Sequence, residues 1–289
     1  MKKTCPLSLI SALSVWLIFS TVAASQAQPQ RYRILVTNDD GVAAPGLAAL
    51  AAELQKSNTV VVVAPSVDRS GASHAIGDLS REIQVTRHFK DGKLFGYGID
   101  GTPAEAAVVG LVVFGKTNKF DLVVSGINPG GNVGSAAHIS GTIAAAMQAV
   151  GQGVPAVAVS IDSTVRDFAF AARFAAQFVE QIKRRSLPRG VMLSINIPTV
   201  KEKLKGVVAA RMGGFPVEDL ESEKTKEIPP SAYYRIKAPS ANRPADEGSD
   251  TQRYLEGFIT ITPLRFDWTD FPALESLKAW DLRLPGAAW

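Results

Sequence analysis

Two adjacent aspartates, Asp39 and Asp40, come two residues after a short apolar segment, Ile34 to Val36, and are followed by Gly41. The apolar run is typical of a buried strand, and the glycine permits a tight turn. In open α/β sheets, ligands bind at the carboxyl ends of strands. Two carboxylates repel each other there, and a hard divalent cation such as Mg²⁺ or Mn²⁺ relieves that repulsion. We interpret the pair as a metal site; the alternative is that one aspartate only caps the next helix.

Two further polar loops also follow apolar strands, and each contributes an oxygen donor. The strand 59–64 leads to a loop that contains Ser70, and the strand 121–124 leads to a loop that contains Asn128. If the strands are parallel neighbours, right-handed crossovers bring these loops to the edge that carries the aspartates. Such an oxygen-only set suits Mg²⁺ or Mn²⁺ rather than zinc. The sequence therefore predicts one ion per subunit, with the ligands Asp39, Asp40, Ser70 and Asn128.

The loop that contains Asn128 is rich in glycine and ends at Ser140-Gly141-Thr142, where a helix of small residues begins. Hydroxyls and open backbone N–H groups at a helix N-terminus bind phosphate well. We interpret this segment as a phosphate site, and the alternative is a capped helix after a flexible loop. The loop has neither the Gly-Lys-Ser/Thr ending of a Walker A loop nor a Gly-x-Gly-x-x-Gly fingerprint.

A divalent ion beside a bound phosphoryl group predicts hydrolysis of a phosphate ester, because the ion polarises a phosphoryl oxygen and activates water. Asp39 or Asp40 is the candidate catalytic group that handles a proton, and the sequence does not say which. His74 and His138 lie in the same loops and are candidates for substrate contact or for the leaving-group acid. The rival class is a serine hydrolase, which would require a Gly-x-Ser-x-Gly elbow that this sequence lacks.

The order of the elements predicts an α/β fold. Unbroken apolar strands alternate with helices, which is typical of a three-layer fold whose parallel sheet is covered on both faces. Alternating residues from Glu82 to Gly98, interrupted at 90–92, predict an inserted β-hairpin. From Gly206 onward, strand-like segments alternate with Pro-rich polar loops, and we expect segment 240–250 to be a mobile loop. This part is interpreted as a β-rich extension for contacts between subunits, the alternative being a set of surface loops.

The composition of the 289-residue chain is that of an ordinary globular protein, with 46% hydrophobic residues and a formal net charge of +4. The positive charge is not gathered into a basic stripe, so we expect no binding to nucleic acid polymers.

Residues 1–27 have the pattern of a secretory signal. Lys2 and Lys3 precede an apolar run, 7–22, and small residues precede a cleavage site after Ala27. The apolar run is shorter than the roughly 20 residues of a bilayer span, so we expect cleavage rather than an uncleaved anchor, and no stable membrane insertion afterwards. Loss of the two lysines lowers the formal charge from +4 to +2, and the single cysteine, Cys5, is lost as well.

We therefore expect a periplasmic or secreted protein without thiol chemistry. The predicted organisation is a signal peptide at 1–27, an α/β catalytic core at 28–205 and a C-terminal extension for oligomerisation at 206–289.

Ten segments resemble the SurE survival-protein family, in the order in which they occur and over nearly all of the mature chain. They are Asn38-Asp39-Asp40-Gly41, Ala44-Pro45-Gly46, Val63-Ala64-Pro65, Arg69-Ser70-Gly71, Gly101-Thr102-Pro103, Ser125-Gly126-Ile127-Asn128, Gly131-Asn132-Val133-Gly134, Ser140-Gly141-Thr142, Glu256-Gly257-Phe258 and Ile261-Thr262-Pro263-Leu264.

The resemblance implies a metal-dependent phosphatase that acts on nucleoside 5′-monophosphates and often on 3′-monophosphates. Some members also take polyphosphate or behave as acid phosphatases. It implies a Rossmann-like α/β domain whose C-terminal extension is exchanged between the subunits of a homodimer or homotetramer. By motif position, the metal ligands fall on the same four residues as above. The substrate and phosphate contacts fall on Asn38, Gly71, Asn132, Ser140, Gly141 and Thr142.

This chain departs from the family pattern beside the expected substrate site. Ile139, preceded by His138, stands where many relatives carry tyrosine, and Ser135-Ala136 replaces residues that are often acidic. The base preference and the choice between 5′ and 3′ esters therefore stay open. Typical members look cytoplasmic, whereas the signal here points to export and to scavenging of phosphate from external nucleotides. Three hypotheses follow: a nucleotidase, a broad-specificity acid phosphatase or exopolyphosphatase at the same site, and a nucleotide-binding module without catalysis.

Overall fold

The computed structural model describes residues 31–199, 203–214, 221–237 and 246–280, so the predicted signal peptide lies outside the described residues. The strands are β1 (Arg33–Thr37), β2 (Thr59–Pro65), β3 (Val85–Lys90), β4 (Lys93–Ile99), β5 (Leu122–Pro129), β6 (Ala156–Ile161), β7 (Val191–Ile197), β8 (Gly206–Ala209), β9 (Glu221–Ile228), β10 (Ser231–Lys237) and β11 (Phe258–Arg265). The α-helices are α1 (Pro45–Leu54), α2 (Pro103–Val109), α3 (Gly141–Gly151), α4 (Ala169–Arg185), α5 (Asp250–Leu255) and α6 (Phe271–Lys278).

Nine of the strands form one sheet in the order β3-β4-β2-β1-β5-β6-β7-β11-β8. The strands from β4 to β7 in this order run parallel, whereas β3 pairs antiparallel with β4 and β11 pairs antiparallel with β7. All residues of β6 are buried, as expected for an unbroken apolar strand covered on both faces. The predicted Rossmann-like α/β fold is confirmed, with antiparallel pairing confined to the flanks of the parallel strands.

Helices cover both faces of the sheet and produce the predicted three layers. On one face, α1 and α4 pack through buried side chains such as Leu47, Leu50 and Val179. On the other face, α2 and α3 pack through buried side chains that include Ala106 and Ile143. Within the described part of the chain, no helix combines the length and hydropathy needed to cross a bilayer.

The position of β1 decides where a ligand can bind. β1 lies between β2 and β5, with Val36 opposite Val62 on one side and Val124 on the other. The chain therefore leaves β1 toward one flank and returns to its other flank later, which creates a crevice at the carboxyl edge. The loops after β1 and β2 and the last residues of β5 lie at this edge, and they carry the predicted metal ligands; β5 extends past the predicted strand 121–124, so Asn128 lies in the strand and not in a loop.

The predicted hairpin insertion is confirmed by the antiparallel pair β3 and β4. Its turn residues, Asp91 and Gly92, both have positive φ angles, 50° and 72°, which is the backbone that a two-residue hairpin turn requires.

The C-terminal segment contributes to two sheets. β8 and β11 extend the main sheet, whereas β9 and β10 form a separate hairpin in which every residue is exposed. The expectation of a mobile loop at 240–250 is wrong at its end, because Ser249 and Asp250 are buried and α5 begins at Asp250; residues 238–245 lie outside the described residues. The domain boundary after residue 205 stays a prediction.

Candidate metal and phosphate site

The turn that presents the two aspartates is closed by their neighbour Asn38. The Asn38 side-chain oxygen accepts from the Gly41 N–H at 3.2 Å, and its amide nitrogen donates to the Gly41 carbonyl at 3.1 Å. Gly41 has a φ of +100°, and a Cβ there would lie 3.0 Å from the carbonyl carbon of Val67. The buried Asn38 side chain therefore shapes the turn, and its predicted contact with substrate stays a prediction.

Asp39 is held by the N-terminus of α3. Its side chain is buried, and Oδ1 accepts a 2.6 Å hydrogen bond from the Thr142 hydroxyl. The backbone of Gly141 approaches so closely that a Cβ at this position would lie 2.7 Å from the Asp39 Cβ. Thr142 and Asp39 are 103 residues apart in the sequence, so the fold brings the predicted phosphate segment into direct contact with the predicted metal ligand.

Asp40 carries a buried oxygen without a protein partner. Its Oδ2 is shielded from solvent and accepts no hydrogen bond within the described part of the protein. Burial, followed by the charges of Asp39 and Asp68, raises the pKa of Asp40 to about 7. Burial also raises the pKa of Asp39, although the hydrogen bond from Thr142 opposes that change. Both carboxylates are therefore costly to ionise, and a cation between them would remove this cost.

The loop after β2 lies against the aspartate turn. The Arg69 N–H donates to the Asp39 carbonyl oxygen at 2.8 Å, which places the adjacent Ser70 beside the carboxylate pair. The Ser70 N–H donates to Asp68 Oδ1 at 2.7 Å. Hydrogen bonding to Ser70 holds the pKa of Asp68 below its usual value, so a third negative charge lies at the rim of the site. Ser70 and the next residue, Gly71, are exposed.

Asn128 lies at the end of β5, the strand on the other side of β1. Its amide nitrogen donates to the Gly130 carbonyl at 2.7 Å, so the amino end of the amide faces its own loop. Thr37 of β1 pairs with Ser125 of β5. Asp40 comes three residues after Thr37, and Asn128 comes three residues after Ser125. The two residues thus leave neighbouring strands at the same edge of the sheet.

The remaining predicted substrate residues divide into two groups. Ser140 caps α3 by accepting from the Ile143 N–H at 3.2 Å, so the capped-helix interpretation describes its side chain. The other N–H groups of the first helical turn have no intrahelical partner, as at the start of any α-helix. Asn132 lies further along, where its N–H donates to Asn196 and its side chain donates to Ser160.

An ion at this site would have two carboxylate ligands and neutral oxygens. In the described ranges, no group of three or more His, Cys, Asp or Glu side chains is arranged to hold a metal ion. Hydroxyl, amide and water oxygens would therefore complete the coordination, which is the donor set of a hard cation. The unpartnered Asp40 oxygen fits such an ion, and the assignment of individual ligands stays a prediction.

Comparisons with known proteins agree with this geometry. A family model described as "Survival protein SurE" matches residues 34–218. The chain belongs to the SurE family. The match to the family model begins at the first residues of β1 and extends beyond the glycine-rich loop and α3, so it includes every predicted metal ligand.

Individual SurE relatives match over most of their length. The 5′-nucleotidase SurE of Chlorobaculum tepidum is 36% identical over 258 residues, which cover 89% of this chain and 97% of the relative. The 5′-nucleotidase SurE of Geobacter metallireducens is 38% identical over 254 residues and 97% of its length. The crystal structure of the SurE protein from Aquifex aeolicus superposes with a TM-score of 0.74 at 31% identity, covering 85% of this chain and 98% of that one.

One buried carboxylate near the SurE site was not predicted. Asp250 accepts from the N–H groups of Gly134 at 3.1 Å, Gly213 at 2.8 Å and Thr251 at 2.7 Å. Its second oxygen accepts from the Thr262 hydroxyl at 3.1 Å. Asp250 thus joins the glycine-rich loop to the C-terminal segment. The local sequence signal is only an N-cap serine followed by an acidic first turn, and it does not reveal partners that lie 116 residues away.

The raised pKa of Asp40 predicts how stability depends on pH in the metal-free protein. The pKa of Asp40 is higher in the folded protein than in the unfolded chain. Its contribution to the stability of the fold is therefore fully present below the unfolded-state pKa and is lost as the pH rises through about 7. Without divalent ions, Tm should therefore fall between pH 5 and pH 8, and it should fall less in Asp40→Asn. At pH 8, Mg²⁺ or Mn²⁺ should raise Tm of the unaltered protein by roughly 2 °C or more and leave the variant unchanged.

The control for this experiment is Asp91→Asn, which makes the same chemical change in the exposed hairpin turn. It should keep both the fall of Tm with pH and the rise with ions. Equal pH profiles for the unaltered protein and Asp40→Asn would contradict the account of the buried carboxylate.

Asp250→Asn should lower the free energy of unfolding by about 1–3 kcal/mol, because the amide places N–H donors against groups that already donate. Urea denaturation measures the loss. Asp246→Asn is the matched control, since Asp246 is exposed and contacts Gly214 at 3.2 Å and Arg211 at 3.6 Å; it should cost less than about 1 kcal/mol. Equal losses in the two variants would show that the buried cluster has no special role.

Proposed function

We propose that this chain is an exported, metal-dependent phosphatase that hydrolyses nucleoside 5′-monophosphates to nucleoside and phosphate. Membership of the SurE family and the similarity to proteins named 5′-nucleotidase SurE support a 5′-nucleotidase. The observation that carries the proposal is the buried Asp40 oxygen, which lies beside Asp39 and has no hydrogen-bond partner among the residues that the structure describes. A cation and a phosphoryl group together would satisfy both features.

In this proposal, Asp39, Asp40, Ser70 and Asn128 hold one Mg²⁺ or Mn²⁺ per subunit. When bound, such an ion polarises a phosphoryl oxygen and lowers the pKa of a coordinated water molecule. The protein groups do the rest of the work. Thr142 fixes the orientation of the Asp39 carboxylate through its 2.6 Å hydrogen bond. One of the two aspartates handles the proton of the attacking water.

The α3 N-terminus orients the phosphoryl group in this proposal. Its first N–H groups and the local dipole favour negative charge. Gly71, in the loop after β2, is exposed and is the other predicted phosphate contact. The substrate would thus be bound between the same loops that hold the ion.

Export to the periplasm or beyond is the second part of the proposal. It rests on the basic, apolar and small-residue regions of 1–27 and on the cleavage site after Ala27. In that compartment, a nucleotidase releases phosphate and nucleoside from external nucleotides, and it requires no thiol.

We also propose that the protein is a homodimer or homotetramer. In the β9–β10 hairpin, Tyr234 and Ile236 point to the same side of β10 and are 61% and 59% exposed. Helix α6 likewise has no buried residue. Apolar side chains on a two-stranded hairpin that stands apart from the main sheet are typical of an interface with another copy.

Substitution of the aspartates tests the catalytic proposal. Asp39→Asn and Asp40→Asn should each lower kcat/KM for nucleoside 5′-monophosphates by at least about 10²-fold, because each removes a charged ligand of the ion. Phosphate release is measured with Mg²⁺ and Mn²⁺ on 5′- and 3′-monophosphates, polyphosphate and p-nitrophenyl phosphate, with Asp91→Asn as the control.

The substrate panel separates the three hypotheses. A preference for nucleotides supports a nucleotidase, and the 3′-esters show whether that activity extends to them. Equal rates on all esters would indicate a broad-specificity phosphatase. No release with either ion, at any pH from 5 to 9, would favour a binding module and reject the proposed hydrolysis.

The double variant Tyr234→Glu/Ile236→Glu should reduce the mass of the assembly measured by light scattering, because it places charges on the exposed apolar side of the hairpin. Arg235→Gln, on the other side of the same strand, should leave the mass unchanged. An unchanged mass in the double variant would exclude the hairpin as an interface.

A further inference from the structure

Beside α3, the described residues enclose a cavity of about 170 Å³ that the proposed hydrolysis does not use. Three aromatic or imidazole rings line it, from His74, His138 and Trp268, and its apolar floor includes Ile143 and Met147. The rings come from three distant parts of the sequence, which the fold brings together.

The cavity lies on the same two loops as the proposed phosphate site. His74 is four residues after Ser70, and His138 is two residues before Ser140. The two loops are joined directly, because the Ser73 hydroxyl donates to the His138 carbonyl at 2.8 Å. A molecule whose phosphoryl group binds at the start of α3 therefore has this cavity immediately beside it.

The rings are arranged as separate walls. The His74 ring meets the Trp268 ring with 5.7 Å between centroids and 82° between planes, and the His138 ring meets it at 6.1 Å and 90°. Because each imidazole stands nearly perpendicular to the indole, the rings do not close into a stack. Trp268 is 66% exposed, so much of its surface is uncovered by the protein.

The lining is suited to an uncharged ligand. Burial lowers the pKa of His74, which keeps this imidazole neutral at neutral pH. Its Nε2 is buried, so the imidazole presents its ring rather than this nitrogen to the cavity. Arg265 is the charged residue of the lining, and it is exposed. Asp267 is nearby: hydrogen bonds from Thr269, and then the charge of Arg265, lower the pKa of its carboxyl group. A planar neutral ring with polar atoms at its edge fits these groups better than a second phosphate does.

We propose that this cavity binds the base of the nucleotide substrate, with Trp268 as its stacking surface and the rings of His74 and His138 as its side walls. The inference rests on the proposed function, because it assigns a position to one part of the same substrate. The volume is below the roughly 300–1,000 Å³ of pockets that enclose a whole drug-sized ligand. It therefore receives a single ring system, while the ribose and phosphate lie outside, toward α3.

The proposal makes Trp268, His74 and His138 determinants of substrate choice. A base that stacks on an exposed indole gains binding free energy that a base-free sugar phosphate does not gain. A nucleoside monophosphate should thus be preferred over ribose 5-phosphate, although both present the same phosphate ester.

The test compares Trp268→Ala with Trp280→Ala. The two indoles are similarly exposed, 66% for Trp268 and 62% for Trp280, but only Trp268 lines the cavity. The ratio of kcat/KM for AMP to kcat/KM for ribose 5-phosphate should fall about tenfold in Trp268→Ala. The ratio should be unchanged in Trp280→Ala. An equal loss on both substrates in Trp268→Ala would reject the assignment and indicate a structural role.

Binding of adenosine to the metal-free protein gives a second measurement that does not depend on catalysis. Calorimetry should show binding to the unaltered protein and to Trp280→Ala, and about tenfold weaker binding to Trp268→Ala. Absence of adenosine binding by the unaltered protein would overturn the inference. If adenosine binds in this pattern but no ester is hydrolysed, the base site is supported and the proposed hydrolysis fails.

Discussion

The structure depends on one electrostatic constraint: two adjacent carboxylates are held in a buried position at the end of a central strand. Burial raises the pKa of both Asp39 and Asp40, so neither ionises without cost in the protein alone. The surrounding contacts nevertheless fix the pair. The Arg69 N–H binds the Asp39 carbonyl, and the Thr142 hydroxyl binds its carboxylate. A site that holds two repelling carboxylates together is suited to a divalent cation. The cation lowers the free energy needed to ionise both carboxyl groups, and it can also bind a substrate oxygen.

The fold places the cation site and the anion site within contact distance. β1 lies between β2 and β5, so the loops after β1 and β2 and the end of β5, which carry the oxygen donors, lie at one edge of the sheet. Helix α3 begins at the same edge, and the close approach of Gly141 to the Asp39 side chain requires a residue without a Cβ. The start of α3 favours negative charge, whereas the aspartates favour positive charge. A phosphate ester bound through a metal ion satisfies both preferences at once, and this pairing connects SurE family membership to the geometry.

Much of this arrangement could be predicted from the sequence because its signals are local. The apolar runs of β1, β2 and β5, the turn at Asp91-Gly92 and the small-residue start of α3 each depend on a few neighbouring residues. β9 was missed because Glu221–Ile228 is polar and charged throughout, with an apolar residue only at its end, so it lacks strand periodicity. The hydrogen bonds of Asp250 and the ring cluster of His74 and Trp268 were missed for another reason: their partners are far away in sequence, and no local pattern records such a contact.

The missed contacts of Asp250 and Trp268 share one property, which is that they attach the C-terminal segment to the loops that carry the predicted site residues. Asp250 holds Gly134 from one side, and Trp268, just beyond β11, closes the cavity between the loops that carry His74 and His138. β11 is itself a strand of the main sheet, paired with β7, so the segment that contributes these groups is anchored to the core. The predicted division into a catalytic core and an oligomerisation extension therefore does not separate the groups of the candidate site, because residues of both parts line it. In our proposals, the core supplies the groups that hold the metal ion and the phosphate, and the C-terminal segment supplies the surface that distinguishes one phosphate ester from another.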